Sequence, residues 1–191
     1  MGGHQGGELA SQSLRAALEA LAFAADDTLI DKTKRIAAVV QLVHARLHAH
    51  GRDYLDGQII GSTLVALVID GKAGAVLWAG DSRLYCLRAG ILTQLTRDHV
   101  PEPVPGLANA NQISRAVGAS FQLELEHAHF ALAPEDRFLL CSDGLYRELD
   151  PAHLQSGTSE PELALAGKKL ITAALDRGGR DNISLILVDV T

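Results

Sequence analysis

STLVALVIDGKAGAVLWAGDSRLYCLRAGILTQL, residues 62–95, is the stretch on which the fold turns. Ser62 to Ile69 is nearly all apolar and rich in β-branched residues, Asp70-Gly71 is a hairpin signal, and Ala75 to Ala79 runs back. Leu84 to Arg88 and Ile91 to Leu95 follow as two more short strands, divided by Ala89-Gly90. Links this short leave no room for a crossover helix, so the spacing predicts an antiparallel meander.

Upstream, the period changes. Leu14, Leu18 and Leu21 recur at helical spacing after a glycine-rich opening. A second helix carries the stripe Ile36, Val39, Val40, Val43 and Leu47, and its predicted stop is Gly51, where glycine can take a left-handed turn. Downstream, Arg97 to Asn111 holds prolines and asparagines without a period and reads as an exposed loop. Leu123 to Leu132 alternates, Arg137 to Cys141 is a buried strand, Pro161 to Leu175 is helical, and Ile183 to Val190 is a closing strand. Helices first, strands next, then a helix and a strand predict an α+β sandwich of two antiparallel β-sheets flanked by helices.

A chain of 191 residues with net charge -6 fits one domain, residues 1–191, and offers no basic field for a polyphosphate backbone. Nucleic acid is therefore excluded as a first partner. Cys86 and Cys141 sit in apolar strand-like runs, and no run approaches the about 20 apolar residues that cross a bilayer. The expectation is a reduced, cytoplasmic monomer with no membrane segment.

Chemistry concentrates where Asp adjoins Gly, Ser or Asn at strand ends: Ala79-Gly80-Asp81-Ser82-Arg83, Cys141-Ser142-Asp143-Gly144-Leu145 and Gly178-Gly179-Arg180-Asp181-Asn182. Each alone is compatible with ordinary turn chemistry. Together they place carboxylates on rigid ends, as hard cations such as Mg²⁺ and Mn²⁺ require.

These segments, with Met1-Gly2-Gly3-His4, Gly61-Ser62-Thr63, Leu95-Thr96-Arg97-Asp98-His99 and Ser114-Arg115-Ala116-Val117-Gly118, follow in order the signature of a known family. The chain resembles the bacterial type 2C metal-dependent serine/threonine protein phosphatases over essentially its whole length. The resemblance implies two Mg²⁺ or Mn²⁺ ions in a cleft, and a loosely held third. Asp143 and Asp181 match ligands of the second ion, and Asp81 matches a ligand of the third. It also implies hydrolysis of phosphoserine and phosphothreonine by a metal-activated water. His4 is then a candidate for proton transfer, and 97–111 a shortened form of the family's flap. Phosphorylated proteins become the substrates, and a serine/threonine kinase the opposing enzyme.

In the family an Asp that bridges both ions, and a Gly, stand ahead of the position of Met1. The expectation is thus a chain lacking its first strands, truncated within the first metal motif and inactive for want of that bridge. A non-catalytic type 2C-like binding or regulatory module is the alternative. Cys141 to Arg147 also spells the Cys-x5-Arg spacing of cysteine-based tyrosine phosphatases, though Asp143 inside that loop would repel a phosphate dianion. His44 and His48 read as a solvated helical face, and His127 and His129 as neighbours on one face of a strand.

Overall fold

The computed structural model describes residues 3–54, 58–101 and 113–191, with the side chains of 3–5 outside the description. Two antiparallel sheets with helices emerge, as the sequence predicts. They belong to two compact units, one formed by residues 1–80 and 99–130, the other by 81–98 and 131–191.

The first unit opens with α1 (Gly3–Glu19) and α2 (Leu29–Tyr54). A reciprocal cap starts α2. The Asp31 amide donates to Thr28 Oγ1 at 3.2 Å, while the Thr28 amide donates to Asp31 Oδ2 at 3.1 Å. Gly51 does not stop this helix, which continues to Tyr54. A Cβ on Gly51 would sit 2.4 Å from the Gln58 carbonyl oxygen, so close backbone approach accounts for the glycine better than a left-handed turn does.

β1 (Leu64–Asp70) and β2 (Ala73–Ala79) form a hairpin with Asp70 paired to Ala73, and β5 (Glu126–Ala131) lies on the other side of β2. The two-residue turn is Gly71-Lys72, one residue later than Asp70-Gly71, and Gly71 holds φ +58°. Val40, Leu47, Ile60, Leu77 and Val117 are buried together with Ala10 and Leu14 of α1. Burying side chains of this size is worth about 1.5–3 kcal/mol each, which outweighs the weak intrinsic preference of the glycine-rich α1 opening for helix.

His44 contradicts the expectation of a solvated face, being only 3% exposed. Its Nδ1 accepts from the Gly118 amide at 2.9 Å, and among the described residues its buried Nε2 closes no hydrogen bond. Burial pushes the imidazole pKa below 6.5; the Phe121 backbone opposes the shift and His48 adds to it. The folded state therefore binds this proton less readily than the unfolded chain. The associated stability is full above pH 6.5 and is lost as pH falls through that value towards the folded pKa. Melting temperatures of wild type and His44→Gln between pH 8 and pH 5 should show a steeper acid-side decline in wild type; parallel curves would refute this. His127 and His129, by contrast, are exposed on β5 with ring centroids 5.7 Å apart.

The second unit contains β3 (Arg83–Arg88), β4 (Ile91–Gln94), β6 (Arg137–Cys141) and β7 (Leu185–Asp189), in the order β4-β3-β6-β7. The predicted single meander is thus two hairpins in different sheets, because β2 and β3 do not pair. The β3–β4 turn places Ala89 and Gly90 at φ +49° and +78°, the left-handed pair that a tight hairpin needs.

Three helices complete this unit: α3 (Asp143–Tyr146), α4 (Pro151–Thr158) and α5 (Leu163–Asp176). The sequence reading misses α3 and α4, although Asp150-Pro151 is a start signal for α4. Asp150 accepts from the His153 amide at 2.9 Å and proline occupies the first turn. Leu139, Leu145, Leu149, Leu154 and Leu170 form the unit's core.

Candidate metal centre

Strand register assembles the site. Arg83 of β3 pairs with Cys141 of β6, and Cys141 with Leu185 of β7, so these three residues mark one end of three adjacent strands. Asp81 lies two residues before Arg83, Asp143 two after Cys141, and Asp181 four before Leu185. All three carboxylates therefore leave the same end of the sheet.

Two local contacts fix the spacing. Ser142 extends the ladder by donating its amide to the Ser184 carbonyl at 3.0 Å, and its Oγ both donates to the Asn182 carbonyl and accepts from the Ser184 amide. Beside it, a Cβ on Gly144 would lie 2.3 Å from the Asn182 oxygen and 3.3 Å from the Asp181 oxygen. Only glycine lets the turn after β6 press so closely on the loop carrying Asp181. Asp181 is exposed, and its Oδ1 accepts from the Asn182 amide at 2.7 Å.

Asp81 is a buried carboxylate at 3% exposure. Arg147 spans it and Asp143, with Nη2 at 3.3 Å from Asp81 Oδ2 and Nη1 at 3.1 Å from Asp143 Oδ2. The side chain of Arg147 is 34% exposed, so solvent screens it and each pairing is worth on the order of 1 kcal/mol. Burial, then the charge of Asp143, push the Asp81 pKa above the usual carboxylate range despite Arg147. Among the described residues one guanidinium, Arg147, is shared between these two carboxylates.

Neighbouring side chains hold the pair in place. Tyr146 donates its hydroxyl to the Asp81 carbonyl at 3.0 Å, and burial pushes its phenol pKa up. Arg83 stacks on the Tyr146 ring with 3.5 Å between guanidinium carbon and centroid. It also donates to both Asp98 oxygens, at 2.9 Å and 2.7 Å, and to the Tyr85 hydroxyl at 2.8 Å. Thr96 Oγ1 accepts from the Leu84 amide. The Leu95 to Asp98 segment, marked in the sequence only by the family resemblance, thus anchors the entry to β3.

The all-oxygen donor set and its unmet negative charge fit a hard divalent cation. Among the described residues no three His, Cys, Asp or Glu side chains converge on one point; Arg147 links Asp81 to Asp143, and Asp181 lies on the adjoining loop. The cysteine alternative fits poorly: burial pushes the Cys141 thiol up to about 12, and Arg147 faces carboxylates. His4 falls in the first turn of α1, with its side chain outside the described residues, as are positions 102–111 of the predicted flap. Among the described residues no helix is long and apolar enough to cross a membrane.

Comparison with known proteins agrees with this fold. The Protein phosphatase 2C family profile matches residues 1–175, and the chain belongs to that family. It is 32% identical over 202 residues to the serine/threonine protein phosphatase PstP of Mycobacterium tuberculosis, covering 100% of this chain and 39% of that protein. The chain therefore spans about two fifths of that relative's length. The structure of PppA, described as a key regulatory component of the T6SS in Pseudomonas aeruginosa, superposes with TM-score 0.90 at 34% identity, covering 100% of this chain and 83% of that one. The catalytic domain of PstP in complex with two manganese ions superposes with TM-score 0.84 at 32% identity, covering 99% and 84%.

Proposed function

We propose that this protein removes phosphate from phosphoserine and phosphothreonine in proteins, in a reaction that needs a divalent cation. The carrying observation is the under-neutralised carboxylate pair Asp81 and Asp143 at the end of β3 and β6, with Asp181 on the adjoining loop. The manganese-bound PstP neighbour and the relatives named serine/threonine phosphatases support the same reading.

Asp143 and Asp181 would hold the principal cation and Asp81, with Asp143, a weaker one; Mg²⁺ or Mn²⁺ suits such ligands. When bound, such ions supply Lewis acidity towards phosphoryl oxygens and a water acidic enough to attack phosphorus. The chain's own part is positional. Gly144 and Ser142 set the separation of Asp143 from the Asp181 loop, while Tyr146 and Arg83 hold the Asp81 backbone. Preorganised carboxylates of this kind avoid reorganisation during the reaction. The partners are phosphoproteins, and by implication the kinases that phosphorylate them.

The test is phosphate release from phosphothreonine peptides and p-nitrophenyl phosphate, with Mn²⁺, with Mg²⁺ and with chelator. Cation-dependent release that persists in Cys141→Ser is the expected result, against the expectation from sequence that the chain is inactive for want of a bridging carboxylate. Release unaffected by full chelation, or abolished by Cys141→Ser in a folded protein, would overturn the assignment.

A further inference from the structure

We propose that Arg147 is a tethered counter-ion that competes with a divalent cation for the Asp81–Asp143 carboxylate pair, so that this position fills only when ion concentration is high. The inference rests on the cation-dependent reading above and assigns a role to a residue that reading does not use.

The geometry carries it. Asp143 and Arg147 are one turn apart, which fixes the guanidinium over its own helix start, while Asp81 reaches the same guanidinium from a position 66 residues earlier. Asp81, with its side chain 4% exposed, cannot turn to water for solvation of its charge. Arg147 can, because its head is 34% exposed on a flexible stem. A cation approaching the pair therefore meets a resident positive charge that must first swing out. Two carboxylates and one guanidinium sum to one negative charge. Adding a divalent ion without moving Arg147 makes the group net positive, and removing the guanidinium makes it neutral. Arg147 thus lowers affinity for the weaker ion while keeping the carboxylates from repelling each other in its absence.

Its spacing from Cys141 suggests a different role, gripping phosphate in a cysteine-based loop, but the guanidinium points at carboxylates and the thiol stays protonated. Charge and fork geometry predict different outcomes for different replacements. Glutamine removes the charge, whereas lysine retains it as a single point that can reach only one carboxylate well.

Mn²⁺ should be titrated calorimetrically into wild type, R147Q, R147K and the double variant R147Q/D81N, each with wild-type circular dichroism. R147Q should bind the weakest ion at least about tenfold more tightly than wild type, and R147K should stay within about threefold of wild type. The double variant should lose that ion. In chelator R147Q should melt below wild type, and Mn²⁺ should raise its melting temperature by more. An unchanged R147Q isotherm, or a gain that survives D81N, overturns the proposal. Should R147Q not fold, the wild-type protein carries the test. Its Arg147 Nε–H resonance, identified by its absence from R147K, must move with the weak-ion isotherm during a Mg²⁺ titration, and an unmoved resonance at saturation refutes the exchange. Phosphate release with normal ion binding and an unchanged R147Q isotherm sinks this inference alone; no ion bound by any variant and no phosphate released sinks both.

Discussion

Asp143→Asn should abolish most phosphatase turnover, by about 10²–10³-fold or more, without unfolding the protein. Asparagine matches aspartate in shape and keeps the backbone of the turn after β6, so Gly144 can still pack on the Asn182 carbonyl. It removes the charge from the carboxylate that Arg147 joins to Asp81 and that the turn at Gly144 places beside the Asp181 loop, the position proposed to share both ions. In chelator the variant should be no less stable than wild type. Its charge is one cause of the raised Asp81 pKa, so neutralising it relieves a repulsion, and Arg147 keeps Asp81 as a partner. With Mn²⁺ present the two should diverge. An ion at about 100 times its dissociation constant stabilises the folded state by about 2.7 kcal/mol, and the variant should forfeit most of that rise. Melting temperatures with and without Mn²⁺, alongside rates on a phosphothreonine peptide, decide the matter. Near-normal rates, or an undiminished Mn²⁺ shift, would show that Asp143 is not the shared ligand.

The three candidate carboxylates stand out in the sequence because turn chemistry and metal chemistry write the same words: Asp beside Gly, Ser or Asn at the end of an apolar run. Strand boundaries were legible wherever an apolar run met Gly or Asp, as at Asp70-Gly71 and Ala89-Gly90. What failed has physical causes. Gly80, at φ +112°, separates β2 from β3 where the spacing suggested one continuous meander; a short link shows that two strands follow one another but not that they pair. Gly51 looked like a helix stop, because a glycine chosen for close approach and one chosen for a left-handed turn are the same letter. His44 seemed solvated because its partner, the Gly118 amide, lies 74 residues away. The pairings of Arg147 with Asp81 and of Asp98 with Arg83 were invisible for the same reason, although both residues stand in motifs quoted from the sequence. Their roles come from contacts across 66 and 15 residues, which no local period encodes.

Arg137→Leu should lower stability by about 3 kcal/mol, a fall of about 6–12 °C in melting temperature for a chain of this size. Arg137 opens β6, the strand whose other end delivers Asp143, and it is 8% exposed. Its guanidinium pairs with Asp189 of β7 through Nε at 2.5 Å and Nη2 at 2.9 Å. It also donates to the carbonyls of Thr158, at 2.9 Å, of Glu160, and of Pro161, at 3.0 Å, closing the link between α4 and α5. Leucine retains much of the apolar stem but strips partners from one carboxylate and three carbonyls. Unsatisfied buried acceptors cost about 1–3 kcal/mol each, and breaking a buried ion pair about 3–5 kcal/mol. The side chain of Asp189 is 35% exposed and water can reach part of it, so the total belongs at the lower end. The role is structural, and the readouts must separate accordingly. At a temperature well below its transition, Arg137→Leu should bind Mn²⁺ with wild-type affinity, because Asp81, Asp143 and Asp181 lie at the opposite end of the sheet from the Arg137–Asp189 pair. A variant that melts like wild type would show that solvent or neighbouring donors replace the guanidinium. One that keeps its melting temperature but loses Mn²⁺ would tie Arg137 to the metal centre instead.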